Sequence, residues 1–424
     1  MPWVIDPRLA SSMSGYQSDK GSGRFAVMAI LDRPQNPAGA RRVERARLLV
    51  YLDGFSTMPL RDEARAAILE AWAHPANPAS PHGLGARAAA MVEAAQCSIA
   101  ELAGCAPSEL TFTSGATEAN NIAIIGGARQ ALSSDRRRLV VSAIEHKSVL
   151  EPARTIERLG FEICVAPVDH HGVIDMDRLR ALVDERCWMV SAMAVNNETG
   201  VIQPIADVAR LARQVGALVH CDAAQALGKI PVDLNGWDVD YASVSGHKLG
   251  GPVGVGALYV AAGAPDPEPL QHGGGQQGGR RPGTEPAALI AGFGAAAEAA
   301  AAGLAADRDR LGALAGLLLQ ELGDRQVRFE MISGEAPTVP GGMAIKLNEV
   351  DGNDICMRLA QDIFLSTGSA CTAGQLTSSH VLAAMGFSDR DAASVIRLML
   401  TRDLVERDVI YAATRISEAI ADSR

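Results

Sequence analysis

Lys248 closes a run of residues whose order suits one kind of chemistry. The stretch Tyr241-Ala-Ser-Val-Ser-Gly-His-Lys begins as a short apolar, β-branched strand and breaks at Ser245-Gly246, leaving His247 and Lys248 on the turn. Gly250, Gly251, Pro252, Gly254 and Gly256 keep the following chain tight. An amine held in a dry pocket at such a strand end loses proton affinity and becomes a nucleophile toward an aldehyde. Pyridoxal phosphate (PLP) is the aldehyde cofactor that asks for this arrangement, together with an acid for its pyridine nitrogen. Lysine occurs only at positions 20, 147, 229, 248 and 346, and arginine carries most of the positive charge. The competing reading is a solvated turn lysine.

Further stretches place polar groups at comparable points. In His220-Cys-Asp222-Ala-Ala-Gln225 a carboxylate ends an apolar strand, where it needs a cation or several hydrogen bonds. A pyridinium N–H would serve, with Gln225 in reach of a ring hydroxyl; a helix N-cap aspartate explains the same residues. Thr113-Ser-Gly-Ala-Thr-Glu-Ala-Asn-Asn joins a strand to a helix whose N-terminus suits a phosphate, and it equally reads as a plain capped helix start. His146, in Glu145-His-Lys-Ser, can stack on a flat ring and exchange protons near neutral pH, or be a satisfied structural histidine. Asn196-Asn-Glu-Thr-Gly places amides past another strand, or builds an Asn/Gly turn. Cys371, in Leu365-Ser-Thr-Gly-Ser-Ala-Cys-Thr-Ala-Gly, sits among small and hydroxylated residues, as a reactive thiol or an ordinary loop cysteine does. Arg397 interrupts the apolar run Ser394-Val-Ile-Arg-Leu-Met-Leu and requires a partner, either a substrate carboxylate or a structural acid.

The elements that must position these residues alternate between strand and helix. Strands are predicted at Leu110–Thr113, Arg138–Ser142, Glu162–Pro167, Trp188–Ala194, Leu218–Asp222, Tyr241–Val244 and Gly256–Val260. Helices are predicted at Glu118–Leu132, Leu150–Leu159, Asp177–Val183 and Ile205–Val215. This alternation implies an α/β fold with a mostly parallel sheet, whose ligands bind beyond the carboxyl ends of the strands. The candidate polar residues cluster at those ends. An Ala- and Leu-rich pattern over 287–322, expected as more than one helix because of its glycines, leads into a smaller C-terminal α+β region. The expected organisation is an N-terminal extension over 1–46, a large cofactor-binding domain over 47–290 whose first residues join the small domain, and a small domain over 291–424 with a mobile cysteine loop.

Composition bounds the alternatives. A chain of 424 residues with close to half apolar content is large enough for two cores. A net charge of −10 argues against nucleic acid as an obligate partner. No run is expected to be a membrane span, because the Ala-rich stretch is interrupted by Glu298, Asp307, Arg308, Asp309 and Arg310. The seven cysteines form no CxxC pair and no ligand-like cluster with histidine, so reduced thiols and no metal site are expected. Asp6, Asp19, Asp32 and Glu44 argue against a mitochondrial targeting segment, and residues 1–46 are expected to be disordered or to reflect a start assigned too far upstream. A cytoplasmic protein is the resulting expectation.

As a set, these motifs resemble the cysteine desulfurases, PLP enzymes of aminotransferase class V, and more closely the branch serving nitrogenase and iron–sulfur assembly. The resemblance runs from Tyr51 to about Ile416. It rests on Asn77-Pro-Ala-Ser, Thr113-Ser-Gly-Ala-Thr-Glu-Ala-Asn-Asn, Glu145-His-Lys, Asn196-Asn-Glu-Thr-Gly and Asp222-Ala-Ala-Gln. Ser245-Gly-His-Lys, Gly273-Gly-Gly-Gln, Ser366-Thr-Gly-Ser-Ala-Cys, Ser379-His-Val-Leu and Ile396-Arg-Leu continue it in order. It implies PLP-dependent transferase fold type I, with helices on both sheet faces, in a homodimer. Lys248 would capture the cofactor and move protons at the substrate α-carbon. His146 would stack on the ring and handle substrate protons, Asp222 would hold the pyridine nitrogen, and Gln225 the ring oxygen. Ala116, Thr117, Ser245 and His247 would hold the phosphate, with Thr284 supplied to the other subunit's site. Arg397 and Asn197 would hold the carboxylate of L-cysteine. Cys371 would take the sulfur as a persulfide for an acceptor protein, leaving alanine.

Three stretches depart from the family pattern. Asp53-Gly-Phe-Ser-Thr-Met stands where Asp-Asn-Asn-Ala-Thr-Thr or a near variant is usual, and Leu398-Met-Leu-Thr-Arg replaces Phe-Ser-Leu-Gly-Arg. Ala336-Pro-Thr-Val-Pro lacks an expected arginine. The alternatives are another class V activity, either transamination or selenocysteine lysis, and a non-catalytic scaffold. Retention of both Lys248 and Cys371 speaks for the desulfurase.

Overall fold

Twelve strands are present among the described residues, which are 49–368 and 379–423 of a computed structural model. The extension expected over 1–46, and Cys371 with its loop, lie outside the described residues. In chain order the strands are β1 (Val50–Tyr51), β2 (Leu110–Thr113), β3 (Arg138–Ser142), β4 (Glu162–Ala166), β5 (Cys187–Ser191) and β6 (Leu218–Asp222). They continue as β7 (Tyr241–Ser245), β8 (Gly256–Val260), β9 (Phe329–Met331), β10 (Gly342–Leu347), β11 (Ile363–Phe364) and β12 (Val395–Met399).

Seven of them form one sheet in the order β2-β8-β7-β6-β5-β3-β4. Only β8 runs antiparallel to its neighbours β2 and β7, so the sheet is mostly parallel, as the alternating pattern predicts. Strands β3, β5 and β7 are buried at every position, whereas the edge strand β4 exposes Glu162 and Val165. Near-continuous apolar runs inside and a mixed run at the rim are what a parallel sheet covered on both faces demands. A second, antiparallel sheet has the order β12-β10-β9, and β1 pairs in parallel with β11. The chain near its start is thereby built into the same cluster as Ile345, Ile363 and Ile396.

Two helical expectations are corrected. The segment predicted as one helix over 118–132 is a helix Ala116–Asn121, a π turn Ile122–Gly126 and a short helix Gly127–Gln130. A one-residue widening of the turn leaves the apolar spacing almost unchanged, so periodicity cannot register it. The stretch expected as several helices is a single helix, Ala287–Asp324. Its glycines are contact points rather than breaks. An added Cβ at Gly292 would stand 2.6 Å from Ile68 Cγ1, and one at Gly294 2.4 Å from Ala95 Cα. Close packing against the helices Asp62–Ala73 and Gly83–Ala103 offsets the intrinsic cost of glycine in a helix. By length and composition this helix also meets the requirement for a membrane span, contrary to the sequence expectation. Its apolar side is explained by burial of Ile290, Phe293, Leu311, Leu314, Leu318 and Leu322 within the fold.

Candidate functional site

The carboxyl ends of β2, β3, β5, β6 and β7 open onto one cavity of about 310 Å³. Ala116, Thr117, His146, Asn197, Asp222, Gln225, Ser245, His247, Lys248 and Arg397 all line it. Every predicted site residue among the described ones is therefore brought together, with one exception. Thr284 is exposed and does not line the cavity of its own chain.

Lys248 follows β7 on a 3₁₀ turn, Gly246–Lys248, as the strand-end reading predicts. Its Nζ donates to the carbonyl oxygens of Phe55, at 2.6 Å, and Ser56, at 2.8 Å. The loop after β1, where the sequence departs from the family pattern, thus grips the candidate nucleophile through its main chain. Neither carbonyl carries a residue-type signal, so sequence reading misses this contact.

Asp222 ends β6 with both oxygens engaged: Oδ1 accepts from Ala224 N at 3.0 Å and Oδ2 from Asn120 Nδ2 at 2.8 Å. Asn120 also donates to Ser148 Oγ at 2.8 Å. Ser148 N in turn donates to His146 Nδ1 at 3.1 Å, and the hydroxyl lies 2.8 Å from the same nitrogen. A backbone N–H on Nδ1 makes that nitrogen the acceptor, so in the neutral ring Nε2 carries the proton. Asn120 and Ser148 link the carboxylate to the imidazole and were not singled out from sequence. Burial, opposed by Asp222, holds the His146 imidazole below its usual pKa, so the ring is neutral at pH 7. His247, whose Nδ1 lies 2.8 Å from Thr57 Oγ1, is pushed down to about 4 by burial and then by Lys248 and Lys229.

Glu145 is a second group missed by sequence reading. It is fully buried; Oε1 accepts from Met193 N at 2.6 Å, and Oε2 has no hydrogen-bond partner among the described residues. Burial, reinforced by Asp222 and opposed by the Met193 N–H, raises its pKa well above the usual carboxylate value.

Arg397 realises the structural-acid reading and still faces the cavity. Its Nη2 pairs with Asp53 Oδ1 at 2.9 Å and donates to Ser366 Oγ at 2.8 Å, and Nη1 donates to Asn197 O at 3.1 Å. The buried Nε has no hydrogen-bond partner among the described residues. An arginine 2% exposed with an orphaned donor has capacity for one more acceptor. Around it two of the departures meet. A Cβ at Gly54 would stand 2.8 Å from Met58 Sδ and 2.9 Å from Met399 Cγ, so glycine at 54 and methionine at 58 and 399 are one packing solution. The third departure packs elsewhere: Thr338 bridges Val201, and Pro337 O accepts from Ile202 N, bracing the turn after Asn197.

Glu198 lies on that turn, 7% exposed, and accepts from Ser379 Oγ at 2.5 Å. An added Cβ at Gly368 would stand 2.4 Å from Glu198 Oε2, so the described residues on either side of 369–378 both lie against one carboxyl group. Burial raises its pKa to about 7, with Ser379 opposing. A carboxyl whose folded pKa exceeds its unfolded value binds its proton more tightly when folded, so its contribution to stability falls as pH rises through that window. Glu198→Gln should therefore gain stability relative to the unmodified protein between pH 5 and 7, by up to about 3 kcal/mol in denaturant titrations. A difference that does not change with pH would contradict this.

Five of the described cysteines are poor nucleophiles. Burial pushes Cys105, Cys187 and Cys356 up to about 12, and raises Cys164 and Cys221 as well.

The arrangement has counterparts in known proteins. A family model described as aminotransferase class-V matches residues 50–409. A cysteine desulfurase of Rattus norvegicus is 38% identical over 407 residues, covering 95% of this chain and 90% of its own length. Cysteine desulfurase IscS of Rickettsia massiliae is 36% identical over 385 residues, covering 89% of this chain and 93% of that protein. A solved structure described as a NifS-like protein superposes with a TM-score of 0.82 at 34% identity, covering 88% of this chain and 100% of its own.

Proposed function

The chain belongs to the aminotransferase class-V family, and on that premise we propose that it is a PLP-dependent cysteine desulfurase. The observation that carries the reading is the convergence of Lys248, Asp222, His146 and Arg397, from separate chain segments, on one cavity. The lining fits PLP group by group. Lys248 is the amine for its aldehyde, Asp222 the acceptor for its pyridinium, and Gln225 the partner for its ring oxygen. Thr117, Ser245, His247 and the first N–H groups of the helix beginning at Ala116 are donors for its phosphate. At Gly115, an added Cβ would project into the same cavity, 3.8 Å from Ser245 Oγ, so glycine there keeps the phosphate end open.

When bound, PLP withdraws electrons from the substrate α-carbon and so loosens the bonds around it. The chain's own residues do the rest. Lys248 receives and returns the α-proton. The neutral His146 exchanges a proton through Nε2. Asn197 and Arg397 hold the amino-acid carboxylate, for which the orphaned Nε is a waiting donor. The Cys371 thiolate attacks the sulfur of L-cysteine; the carbon–sulfur bond breaks, Cys371 keeps the sulfur as a persulfide, and the carbon skeleton takes up a proton and leaves as L-alanine. An acceptor protein then removes that sulfur, for iron–sulfur assembly or thiolation. Thr284, exposed and outside its own cavity, is assigned to the phosphate site of the partner subunit in a homodimer. A cytoplasmic enzyme fits this reading.

Purified protein supplied with PLP should turn yellow. With L-cysteine and a thiol reductant it should release sulfide and alanine in equal amounts. Colour without alanine would sink the desulfurase assignment.

A further inference from the structure

We propose that Lys229 is a positioning residue of the cofactor site, acting through Gln225. It sets the Gln225 amide so that its N–H₂ end lies on the side of Phe55 and Lys248. The inference rests on the PLP reading above and deepens it.

Lys229 is four residues beyond Gln225, past a turn at Gly228 whose φ is 75°. It is 7% exposed and is absent from the lining of the main cavity, so it does not touch the reacting atoms. It lies instead beside the back of Lys248, where both lysines border a smaller cavity with Met58, Arg61 and Arg402. A buried lysine is costly unless its donors are used. Both acceptors of its Nζ belong to Gln225: Oε1 at 2.7 Å and the main-chain oxygen at 3.3 Å. Burial, and then Lys248, drives the ammonium well below its usual pKa. Protonated or neutral, the amine keeps at least two N–H donors, one for each of those oxygens.

The other end of the amide is fixed by the same logic. Gln225 Nε2 donates to Phe55 O at 2.9 Å, and that oxygen also accepts from Lys248 Nζ. Rotating the amide by half a turn would set Oε1 against the Phe55 carbonyl and Nε2 against the Lys229 donors. Two favourable contacts would become two repulsive ones, so only one orientation survives. A ring oxygen reaching Gln225 then meets an N–H and is favoured as the oxyanion. Without Lys229 the amide loses the partner that holds its oxygen, and the donor is no longer assured.

The test is a double-mutant cycle between Lys229→Met and Gln225→Ala, read as PLP dissociation constant and visible absorption maximum rather than turnover. Lys229→Met alone should weaken PLP by roughly tenfold and shift the band, as expected for a buried hydrogen-bonded pair. In the Gln225→Ala background the same change should weaken PLP by less than about twofold. Lys229→Gln, which keeps an N–H for Oε1, should stay within about threefold of the unmodified protein. If the methionine variant does not fold, Lys229→Ala, which also removes the N–H donors, takes its place in the cycle. A Lys229 effect equally large without Gln225, or no effect at all, overturns the proposal. Failure of the unmodified protein to take up PLP sinks the parent reading instead.

Discussion

Lys248→Ala should leave a folded protein that no longer holds PLP covalently. After borohydride treatment, the unmodified protein should carry the cofactor's mass on the peptide containing Lys248; the variant should carry none. Alanine formation should fall by roughly a thousandfold or more, the scale on which one positioned proton-transfer group acts. The physical basis is the placement of the amine. It follows β7 at the sheet's carboxyl edge and donates hydrogen bonds to the carbonyls of Phe55 and Ser56. In the variant those carbonyls lose a donor, which costs stability without opening the sheet, so a modest drop in melting temperature is expected rather than unfolding. A variant that retained turnover would show that another group captures the cofactor.

Cys371→Ser should separate cofactor capture from sulfur transfer. The residues proposed to hold PLP are all elsewhere in the chain, so PLP uptake and colour should be unchanged. Sulfide release should fall on the order of 10⁴-fold, because a hydroxyl cannot accept sulfur and loss of a nucleophile costs on that scale or more. The other described cysteines cannot stand in where burial has raised their pKa, as at Cys105, Cys187, Cys221 and Cys356. Sulfide release at the normal rate would move the persulfide away from position 371 and reopen the choice among class V activities.

The strand ends were legible because burial on both faces forces long apolar runs, and a polar residue at the close of such a run is conspicuous. Asp222, Ser245 and Lys248 were found in that way. Asn120 was passed over because an asparagine inside a helical pattern has no distinctive spacing. Its importance comes from contacts with Ser148 and Asp222, which lie 28 and 102 positions away. Glu145 and Glu198 read as ordinary turn acids, yet burial raises the pKa of the one well above its usual value and brings the other to about 7. The single helix Ala287–Asp324 was misread because glycine is a weak helix former until a neighbour needs the space.

By itself the sequence determined the alternation of strands and helices, and marked Lys248, Asp222, His146 and Arg397 as candidates for PLP chemistry. Side-chain type and local period carry that information. Only the tertiary structure decided that Phe55 and Ser56 grip Lys248 across more than 190 residues, that Asp53 pairs with Arg397, and that Lys229 faces Gln225. Those contacts depend on main-chain carbonyls and on the register of distant segments. A carbonyl is common to every residue type, and register is set by packing of the whole chain.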